Sequence, residues 1–403
     1  MKIRNKCLCC KKEDLKEIIK LGSHSFADRF ISKKGLSTKD PLYPLVVVIC
    51  KSCSFIQLKY VTNPKDRYST IDYSYTSSNS AYSRKHWNDF FLDSKKIISR
   101  FKFRNVMEIG ANDGYLSEIF LKNNYNVLAI DASNFMVNLI KKKKIKSENL
   151  IFNYSESKKI KKKYGKHDLV IANNVFNHAD NPSNFLLGVK NILNDNGMFI
   201  FEQPYFANSV KEFKFDQIYH EHISYFTIKN IKNLLKNNGF KIFKISFNKY
   251  HGGSIRTAAV LDQSIYSAMN LKKILAQEEK TKVNNINFYK EFEKNIINKK
   301  KTLLKKINNL IIKKYKIFGV GAAAKANTLL TFYDLNSEKI NFITDGSKYK
   351  INKYTPKTRI KIVGDQEVKK YDKIACIILA WNISNLLIKK LKKINKNIKF
   401  LKL

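Results

Sequence analysis

The stretch Val106-Met-Glu-Ile-Gly-Ala-Asn-Asp-Gly114 decides the fold, because it predicts a short β-strand that ends in a glycine-rich turn. Tyr115–Lys122 follows with the pattern of a helix, and Val127-Leu-Ala-Ile-Asp131 predicts a second strand that ends in a carboxylate. Such a turn lets a ligand approach the backbone closely at the carboxyl edge of a parallel sheet. The acid after the second strand is placed to accept the two hydroxyls of a ribose.

This strand-turn-helix-strand pattern is compatible with two cofactors, NAD and S-adenosylmethionine. The spacing Gly110-x-Asn-x-Gly114 differs from the Gly-x-Gly-x-x-Gly of dinucleotide-binding folds. Glu108 precedes the first glycine, and an acid there suits S-adenosylmethionine, which presents an amine and a sulfonium instead of a pyrophosphate. We therefore favour S-adenosylmethionine over NAD. The predicted cofactor-binding residues are Glu108, Gly110, Asn112, Gly114, Asp131 and Asn174.

Strands and helices alternate from Val106 to Glu202, which predicts a doubly wound, Rossmann-like α/β layer. The strand Asp168–Ala172 runs into Asn173-Asn-Val-Phe. An N-methyltransferase of nucleic-acid bases is expected to carry Asn/Asp-Pro-Pro-aromatic at this point. The sequence therefore argues against base methylation.

The densest polar cluster is Asp216-Gln-Ile-Tyr-His-Glu-His-Ile-Ser-Tyr225. Histidine is the side chain best suited to remove a proton near neutral pH, and glutamate and tyrosine can orient it. A metal site is less favoured, since adjacent residues on one element point in different directions. A solvated polar turn remains an alternative on local chemistry alone.

Four of the six cysteines form two Cys-x-x-Cys pairs, Cys7 with Cys10 and Cys50 with Cys53. Paired motifs of this kind in a reducing compartment indicate a structural Zn²⁺ site, because four thiolates complete its tetrahedral shell. The second pair is expected in a β-hairpin. Cys9 could replace Cys10 as a ligand. The alternative to a zinc site is that these cysteines are unrelated buried side chains.

The last third of the chain predicts a long amphipathic helix between Lys272 and Lys314, followed by a second, smaller α/β layer. Ile317-Phe-Gly-Val-Gly321 is a strand that enters a turn of small residues, a plausible anion cradle. Asn341-Phe-Ile-Thr-Asp345 repeats the pattern of a strand that ends in an acid, and Ile374–Leu379 is a further buried strand.

Composition limits the class of protein. With 403 residues, 44% of them hydrophobic, two or three packed domains are expected. No apolar run approaches the ~18 residues of a membrane span, and no secretory signal is recognisable, so we expect a cytoplasmic protein. The net charge of +43 suggests a nucleic-acid or membrane-surface partner. The excess is mostly lysine spread along the chain, which favours compositional drift instead.

The order of these motifs resembles the sugar C-methyltransferases, which use S-adenosylmethionine to methylate nucleotide-linked keto-deoxysugars. The resemblance covers nearly the whole chain and is most specific in Tyr219-His-Glu-His222 and Gly321-Ala-Ala-Ala-Lys325; the stretch His251–Arg256 also contributes. It implies a β-rich zinc-binding domain at 1–65, a methyltransferase domain at 66–264 and a C-terminal α/β domain at 265–403 that helps to hold the nucleotide sugar.

The resemblance also implies site roles. His222 is the base, Tyr219 and Glu221 support it, and His178 and Tyr75 face the sugar. His178 follows Asn177 where relatives often have a small residue, and Asp131 stands where many have glutamate. The predicted substrate-binding residues are Ser254, Arg256, Lys325, Asn327 and Asp345, with Lys325 and Asn327 near the pyrophosphate.

The expected partner is a small nucleotide sugar, with no nucleic acid or membrane, and the expected state is a monomer. Two rival functions remain: an RNA methyltransferase with a zinc ribbon, and a non-catalytic relative that only binds the nucleotide sugar.

Overall fold

The computed structural model describes residues 1–68 and 76–401. Its strands are β1 Lys2–Ile3, β2 Leu15–His24, β3 Tyr43–Cys50, β4 Ile56–Leu58, β5 Tyr60–Val61, β6 Asn105–Ile109, β7 Asn126–Asp131, β8 Lys146–Asn149, β9 His167–Ile171, β10 Leu193–Pro204, β11 Ser224–Tyr225, β12 Phe240–Asn248, β13 Ser254–Leu261, β14 Lys316–Val320, β15 Phe342–Thr344, β16 Ile362–Val363, β17 Ile374–Ile378 and β18 Lys399–Leu401. Its α-helices are α1 Pro64–Tyr68, α2 Ala81–Ile98, α3 Tyr115–Lys122, α4 Asn134–Lys142, α5 Tyr154–Tyr164, α6 Pro182–Ile192, α7 Phe206–Lys211, α8 Ile228–Lys236, α9 Lys272–Glu279, α10 Ile286–Ile312, α11 Ala324–Phe332 and α12 Ser384–Ile394.

The N-terminal sheet is antiparallel and has the order β11-β4-β3-β2. The predicted hairpin that carries the second cysteine pair is its β3–β4 unit. β1 and β5 form a separate two-stranded ribbon. β11 comes from the middle of the chain, so the segment predicted as the zinc-binding domain shares its sheet with the polar cluster of the sequence.

The central sheet has the order β12-β13-β10-β9-β6-β7-β8. Strands β6 to β10 are parallel, and β13 runs antiparallel to both of its neighbours. The buried residues of β6 and β9 are mostly apolar, as expected when helices cover both faces of a parallel sheet. The chain order reverses between β6 and β9, and the carboxyl ends of strands leave a ligand crevice at such a point.

The C-terminal sheet is wholly parallel, with the order β16-β15-β14-β17-β18. Its order reverses between β14 and β17, in the same way as the central sheet. The predicted α/β fold class, with a β-rich N-terminal part and two Rossmann-like layers, is confirmed.

The long helix predicted between Lys272 and Lys314 is instead two helices, α9 and α10. Lys282 adopts a left-handed conformation with a φ of 58°, and the Asn285 side chain caps α10 by accepting from the backbone of Asn287. Asparagine competes for backbone hydrogen bonds in this way, which favours a helix start over continuation. No helix in the described part of the chain is both long and apolar enough to cross a membrane.

Candidate active site

A cavity of about 850 Å³ is lined by residues of the central and C-terminal sheets and by loops that adjoin the N-terminal sheet. Its walls come from the carboxyl ends of β6, β7 and β9, from the turn before β11, and from the carboxyl ends of β14, β15 and β17. Ten of the residues predicted from the sequence line it: Glu108, Gly110, Asn112, Asp131, Asn174, His178, Tyr219, His222, Lys325 and Asp345. The cavity therefore brings together predicted residues that lie more than two hundred positions apart.

Gly110 forms the turn between β6 and α3. Its φ is +71°, and an added Cβ would come within 2.1 Å of a methyl carbon of Val175, so only glycine fits. Its backbone N–H donates to the carbonyl of Ile130 at 2.7 Å, which holds the turn against the end of β7. Gly114 does not line the cavity but begins α3, also with a φ of +71°.

Asp131 extends from the end of β7 into the cavity wall. One carboxylate oxygen accepts the backbone N–H of Asn112 at 2.8 Å, and the other accepts that of Ser133 at 2.8 Å. Burial raises the pKa of Asp131 to about 6, against the opposing effect of the N–H donors. Each oxygen keeps a lone pair for a ligand hydroxyl.

Glu108 lines the cavity and accepts a hydrogen bond from the Ser117 hydroxyl on α3. Burial raises its pKa to about 8. The side chain is therefore largely protonated at neutral pH, and a simple ionic attraction to a cationic ligand is weaker than the sequence suggested.

Two asparagines after β9 offer unpaired polar atoms to the cavity. Both polar side-chain atoms of Asn173, Oδ1 and Nδ2, are buried and have no hydrogen-bond partner among the described residues. The same is true of Oδ1 of Asn174. Such groups are costly unless a ligand or water pairs with them. Together with Gly110 and Asp131, they fit the amino-acid and ribose ends of S-adenosylmethionine.

His178 and His222 face each other in the cavity, with ring centroids 5.1 Å apart. The Tyr219 ring lies 4.0 Å from that of His222. Nδ1 of His222 is 2.8 Å from the carbonyl oxygen of Gln217. A carbonyl can only accept, so Nδ1 carries the hydrogen and Nε2 keeps the lone pair.

Burial lowers the pKa of His222 to about 4, more strongly than its backbone hydrogen bond raises it, and the charge of Lys325 lowers it further. Burial likewise places the pKa of His178 well below its usual range, and His222 contributes in the same direction. Both rings are therefore neutral at physiological pH, which is the form that can accept a proton.

Hydrogen bonds hold the turn that carries His222 to strand β4, to the segment after β9 and to helix α11. The backbone N–H of Ile223 donates to the carbonyl of Asn177 at 2.9 Å and so ties the two histidine segments together. The N–H of Leu58 in β4 donates to the carbonyl of Ile223 at 2.9 Å. From the C-terminal layer, the Thr328 hydroxyl donates to the carbonyl of Ile218 at 3.0 Å.

Glu221 does not line the cavity, although its neighbour in the chain, His222, does. Its side chain is fully buried, and burial raises its pKa to about 7, with the nearby charge of Asp28 acting in the same direction. The hydrogen-bond partner of the His222 ring is the Gln217 carbonyl. Support of His222 by Glu221 stays a prediction.

Lys325 stands beside His222 and lines the cavity, in the first turn of α11. Its ammonium donates to Asn382 Oδ1 at 2.7 Å and lies 3.7 Å from the centre of the Trp381 ring. Burial lowers its pKa to about 8, while Asp216 raises it. A bound anion would relieve the cost of this buried charge.

Three of the predicted substrate ligands are engaged elsewhere. Arg256 is buried, with its guanidinium 2.8 Å from Glu202 and 3.0 Å from Asp93. The Ser254 hydroxyl donates to a backbone carbonyl four residues earlier at 3.0 Å, and the Asn327 amide donates to the backbone of the N-terminal segment. None of the three lines the cavity. Tyr75 lies outside the described residues.

Among the cavity residues that the sequence reasoning did not assign, two carry ionisable side chains close to the proposed reacting centre, His251 and Asp28. His251 lines the wall with a φ of +50°; its motif was recognised, but the predicted ligands were drawn from later residues of that motif. Asp28 reaches the cavity from the loop after β2. No local pattern marks Asp28, because only the tertiary fold brings the loop there.

The four paired cysteines converge at the end of the β3–β4 hairpin, with all their sulfur atoms within 4.8 Å of one another. The Sγ atoms of Cys7 and Cys53 are 3.5 Å apart, and those of Cys10 and Cys50 are 3.6 Å apart. Zn–S bonds of about 2.3 Å place tetrahedral ligands about 3.8 Å from each other, whereas a disulfide needs about 2.05 Å. The geometry fits a closed S₄ structural zinc site, and Cys9 is outside the group of four.

Family models match three consecutive parts of the chain. A zinc-binding domain matches residues 7–68, a methyltransferase domain matches 83–245, and the C-methyltransferase C-terminal domain matches 249–401. The chain is also 24% identical over 381 residues to the C-methyltransferase NovU of Streptomyces niveus, covering 94% of this chain and 90% of that protein.

Solved structures of methyltransferases each match just under half of this chain. An S-adenosylmethionine-dependent methyltransferase from Clostridium acetobutylicum covers 46% of this chain and 93% of its own, with 16% identity and a TM-score of 0.36. The magnesium protoporphyrin IX methyltransferase of Synechocystis covers 44% and 84%, with 17% identity and a TM-score of 0.35.

Proposed function

We propose that this chain, which belongs to the S-adenosylmethionine-dependent C-methyltransferases, methylates the carbon beside the ketone of a nucleotide-linked keto-deoxysugar. The observation that carries the proposal is the neutral His222, whose Nε2 lone pair is directed by the bond from Nδ1 to the Gln217 carbonyl. It lines a cavity that also holds the cofactor-binding turn.

A ketone acidifies the neighbouring carbon, and His222 Nε2 removes that proton. His178, 5.1 Å away between ring centroids, stabilises the ketone oxygen as it gains negative charge. A single donor to such an oxygen contributes roughly 2.7–4 kcal/mol in typical acyl-transfer enzymes. When bound, the cofactor supplies an electrophilic methyl group on its sulfonium.

Gly110, Asp131 and the two asparagines after β9 would hold the cofactor on one side of His222, while Lys325 marks the other side as a place for the diphosphate. At about 850 Å³, the cavity is near the top of the usual range of about 300–1,000 Å³ for ligand sites. Correct positioning of two reactants can lower a barrier by about 7–11 kcal/mol. The four cysteines hold Zn²⁺ as a structural element.

The proposal is tested by incubating the zinc-loaded protein with S-adenosylmethionine carrying a ¹³C methyl group and a panel of nucleotide-linked keto-sugars. The expected product shows the labelled methyl bonded to a sugar carbon by NMR. Label on oxygen or nitrogen, or transfer to RNA but to no sugar in the panel, would contradict it.

A further inference from the structure

Gln217 makes hydrogen bonds to two separate segments of the cavity wall. It ends the short 3₁₀ turn Phe215–Gln217, and it lines the cavity itself. Its backbone carbonyl accepts the hydrogen of His222 Nδ1 at 2.8 Å, across five positions of the chain. Its side-chain amide is buried and has partners of its own. One residue therefore orients the proposed base with its backbone and contacts other parts of the wall with its side chain.

The partners of the amide fix its orientation. Nε2 donates to the backbone carbonyl of His251 at 2.7 Å, and Oε1 accepts from the Ser209 hydroxyl at 3.0 Å. A carbonyl can only accept, so Nε2 must face His251, and the Ser209 hydroxyl then donates to the remaining oxygen. The side chain of Gln217 thus ties the turn that carries His222 to the segment that carries His251.

The segment that receives this bond has an uncommon backbone. His251, Gly252 and Gly253 have φ values of +50°, +83° and +117° in succession. A positive φ at a residue other than glycine is uncommon, and it persists only where the surrounding structure holds it. An added Cβ at Gly252 would clash with the Trp381 ring, so the segment is closely packed. The bond from Gln217 is a second restraint on it, and it joins two parts of the wall into one unit.

The chemistry of His222 depends on the position of the Gln217 carbonyl. If this carbonyl moves away, Nδ1 loses its acceptor and the other tautomer becomes accessible. In that tautomer Nε2 carries the hydrogen and has no lone pair for a substrate proton. Because one residue provides both the carbonyl and the amide, the bond to His251 limits how far the carbonyl can move.

We propose that Gln217 is a positioning residue, whose side-chain bond to His251 fixes the carbonyl that keeps His222 protonated on Nδ1. This inference rests on the proposed function. Gln217→Met keeps a similar length but has no amide, so it should lower kcat without weakening binding. The expected loss is about 10–100-fold in kcat, since a misplacement of about 1 Å can cost about 100-fold in rate. KM for S-adenosylmethionine and for the sugar should stay unchanged.

The ring signals of His222 report its tautomer directly. Zinc-loaded protein with ¹⁵N-labelled histidine is saturated with S-adenosylhomocysteine and studied by NMR, and the signals of His222 are those that are missing from His222→Gln. The wild type should carry the hydrogen on Nδ1 at pH 7.5. Gln217→Met should show a second population with the hydrogen on Nε2. The same variants are assayed for kcat and KM with the sugar that accepts the ¹³C methyl group in the panel above.

Two further variants separate this role from a general effect on packing. Ser209→Ala removes the other hydrogen bond of the amide and leaves the bond to His251 in place, so it should keep the wild-type tautomer and kcat. Gln217→Asn keeps a polar amide that is one carbon too short to reach both partners. It should show an intermediate loss of kcat, and it serves as the test if Gln217→Met is unstable.

The outcomes distinguish the inference from the proposed function. Wild-type tautomer and kcat in both Gln217 variants, or a raised KM with unchanged kcat, would overturn the inference and leave the proposed function standing. A wild-type His222 with its hydrogen on Nε2 would overturn both. If no sugar in the panel is methylated, the proposed function fails, and the ring signals alone decide whether Gln217 fixes the tautomer of His222.

Discussion

A buried imidazole is an effective base only if its lone pair is free and correctly aimed. His222 fits the proposed role of base, since its Nδ1 is committed to a carbonyl and burial lowers its pKa to about 4. The driving force for proton abstraction is smaller for a base of such low pKa. In the proposed mechanism, stabilisation of the ketone oxygen therefore supplies part of the catalysis, and His178 is the proposed donor.

The first prediction concerns Asp131. Because its pKa is raised to about 6, protonation below that pH removes acceptor capacity, and affinity for S-adenosylhomocysteine should fall as the pH drops from 7.5 to 5. The fall can reach at most tenfold per pH unit. Asp131→Asn should bind weakly with no such dependence. Calorimetric titration at several pH values measures this.

Asp345→Asn is the control, since it alters the equivalent acid at the other end of the cavity and should keep the wild-type pH dependence for S-adenosylhomocysteine. Equal affinity of the wild type at pH 5 and pH 7.5 would argue against Asp131 as the ribose ligand.

The second prediction separates a structural role of Arg256 from a substrate-binding one. Arg256→Met leaves the buried carboxylate of Glu202 with one fewer cationic partner, and breaking a buried ion pair commonly costs about 3–5 kcal/mol. The melting temperature should drop strongly, while KM for the nucleotide sugar stays unchanged below the transition. Glu202→Gln combined with Arg256→Met should recover part of the loss. A raised KM with full stability would support Arg256 as a substrate ligand.

Among the elements, the two-residue strand β11 connects the zinc-binding part of the chain to the turn that carries His222. Its two residues pair with Gln57 and Ile56 of β4, and β4 pairs with β3, whose last residue is Cys50. The zinc site and the turn that carries His222 are thus joined through three strands of one sheet. Metal binding is expected to stabilise the catalytic turn without taking part in the chemistry.

The third prediction follows from this connection. Cys50→Ser should lose stoichiometric zinc, melt at a lower temperature and lose methyl transfer. Cys9→Ser is the matched control, because this thiol lies beside the cluster but outside the four ligands, and it should keep one zinc and full activity. Metal analysis and activity are measured on the same samples. Zinc retained in Cys50→Ser, or lost in Cys9→Ser, would refute the ligand set.

At the scale of the whole molecule, the site exists only where the three sheets meet. The local patterns around Gly110 and Asp131 predicted their strand, turn and helix within a residue or two, because glycine and apolar periodicity are local properties. The contribution of Asp28 was not predictable, since it depends on how the loop after β2 packs. Arg256 was assigned from its motif alone, and its ion pairs with Asp93 and Glu202 form only when α2, β10 and β13 come together.

The net charge of +43 is also a property of the whole molecule. Besides Lys325, three lysines of the C-terminal α/β layer line the cavity: Lys348, Lys350 and Lys390. A positive field at the mouth of a site speeds the capture of an anionic substrate such as a diphosphate. A benefit of this kind needs no nucleic-acid partner, although the absence of one stays a prediction.

The measurement that tests the central claim most directly omits the methyl donor. With S-adenosylhomocysteine in its place, the wild-type protein should exchange the proton beside the ketone of its nucleotide sugar with deuterated water, as followed by NMR. His222→Gln should bind both ligands. Its rates of proton exchange and of methyl transfer should be about 10²–10⁴-fold lower than those of the wild type. His178→Gln should exchange slowly. Exchange at the wild-type rate in His222→Gln, with none in His178→Gln, would contradict the account and reverse the two roles.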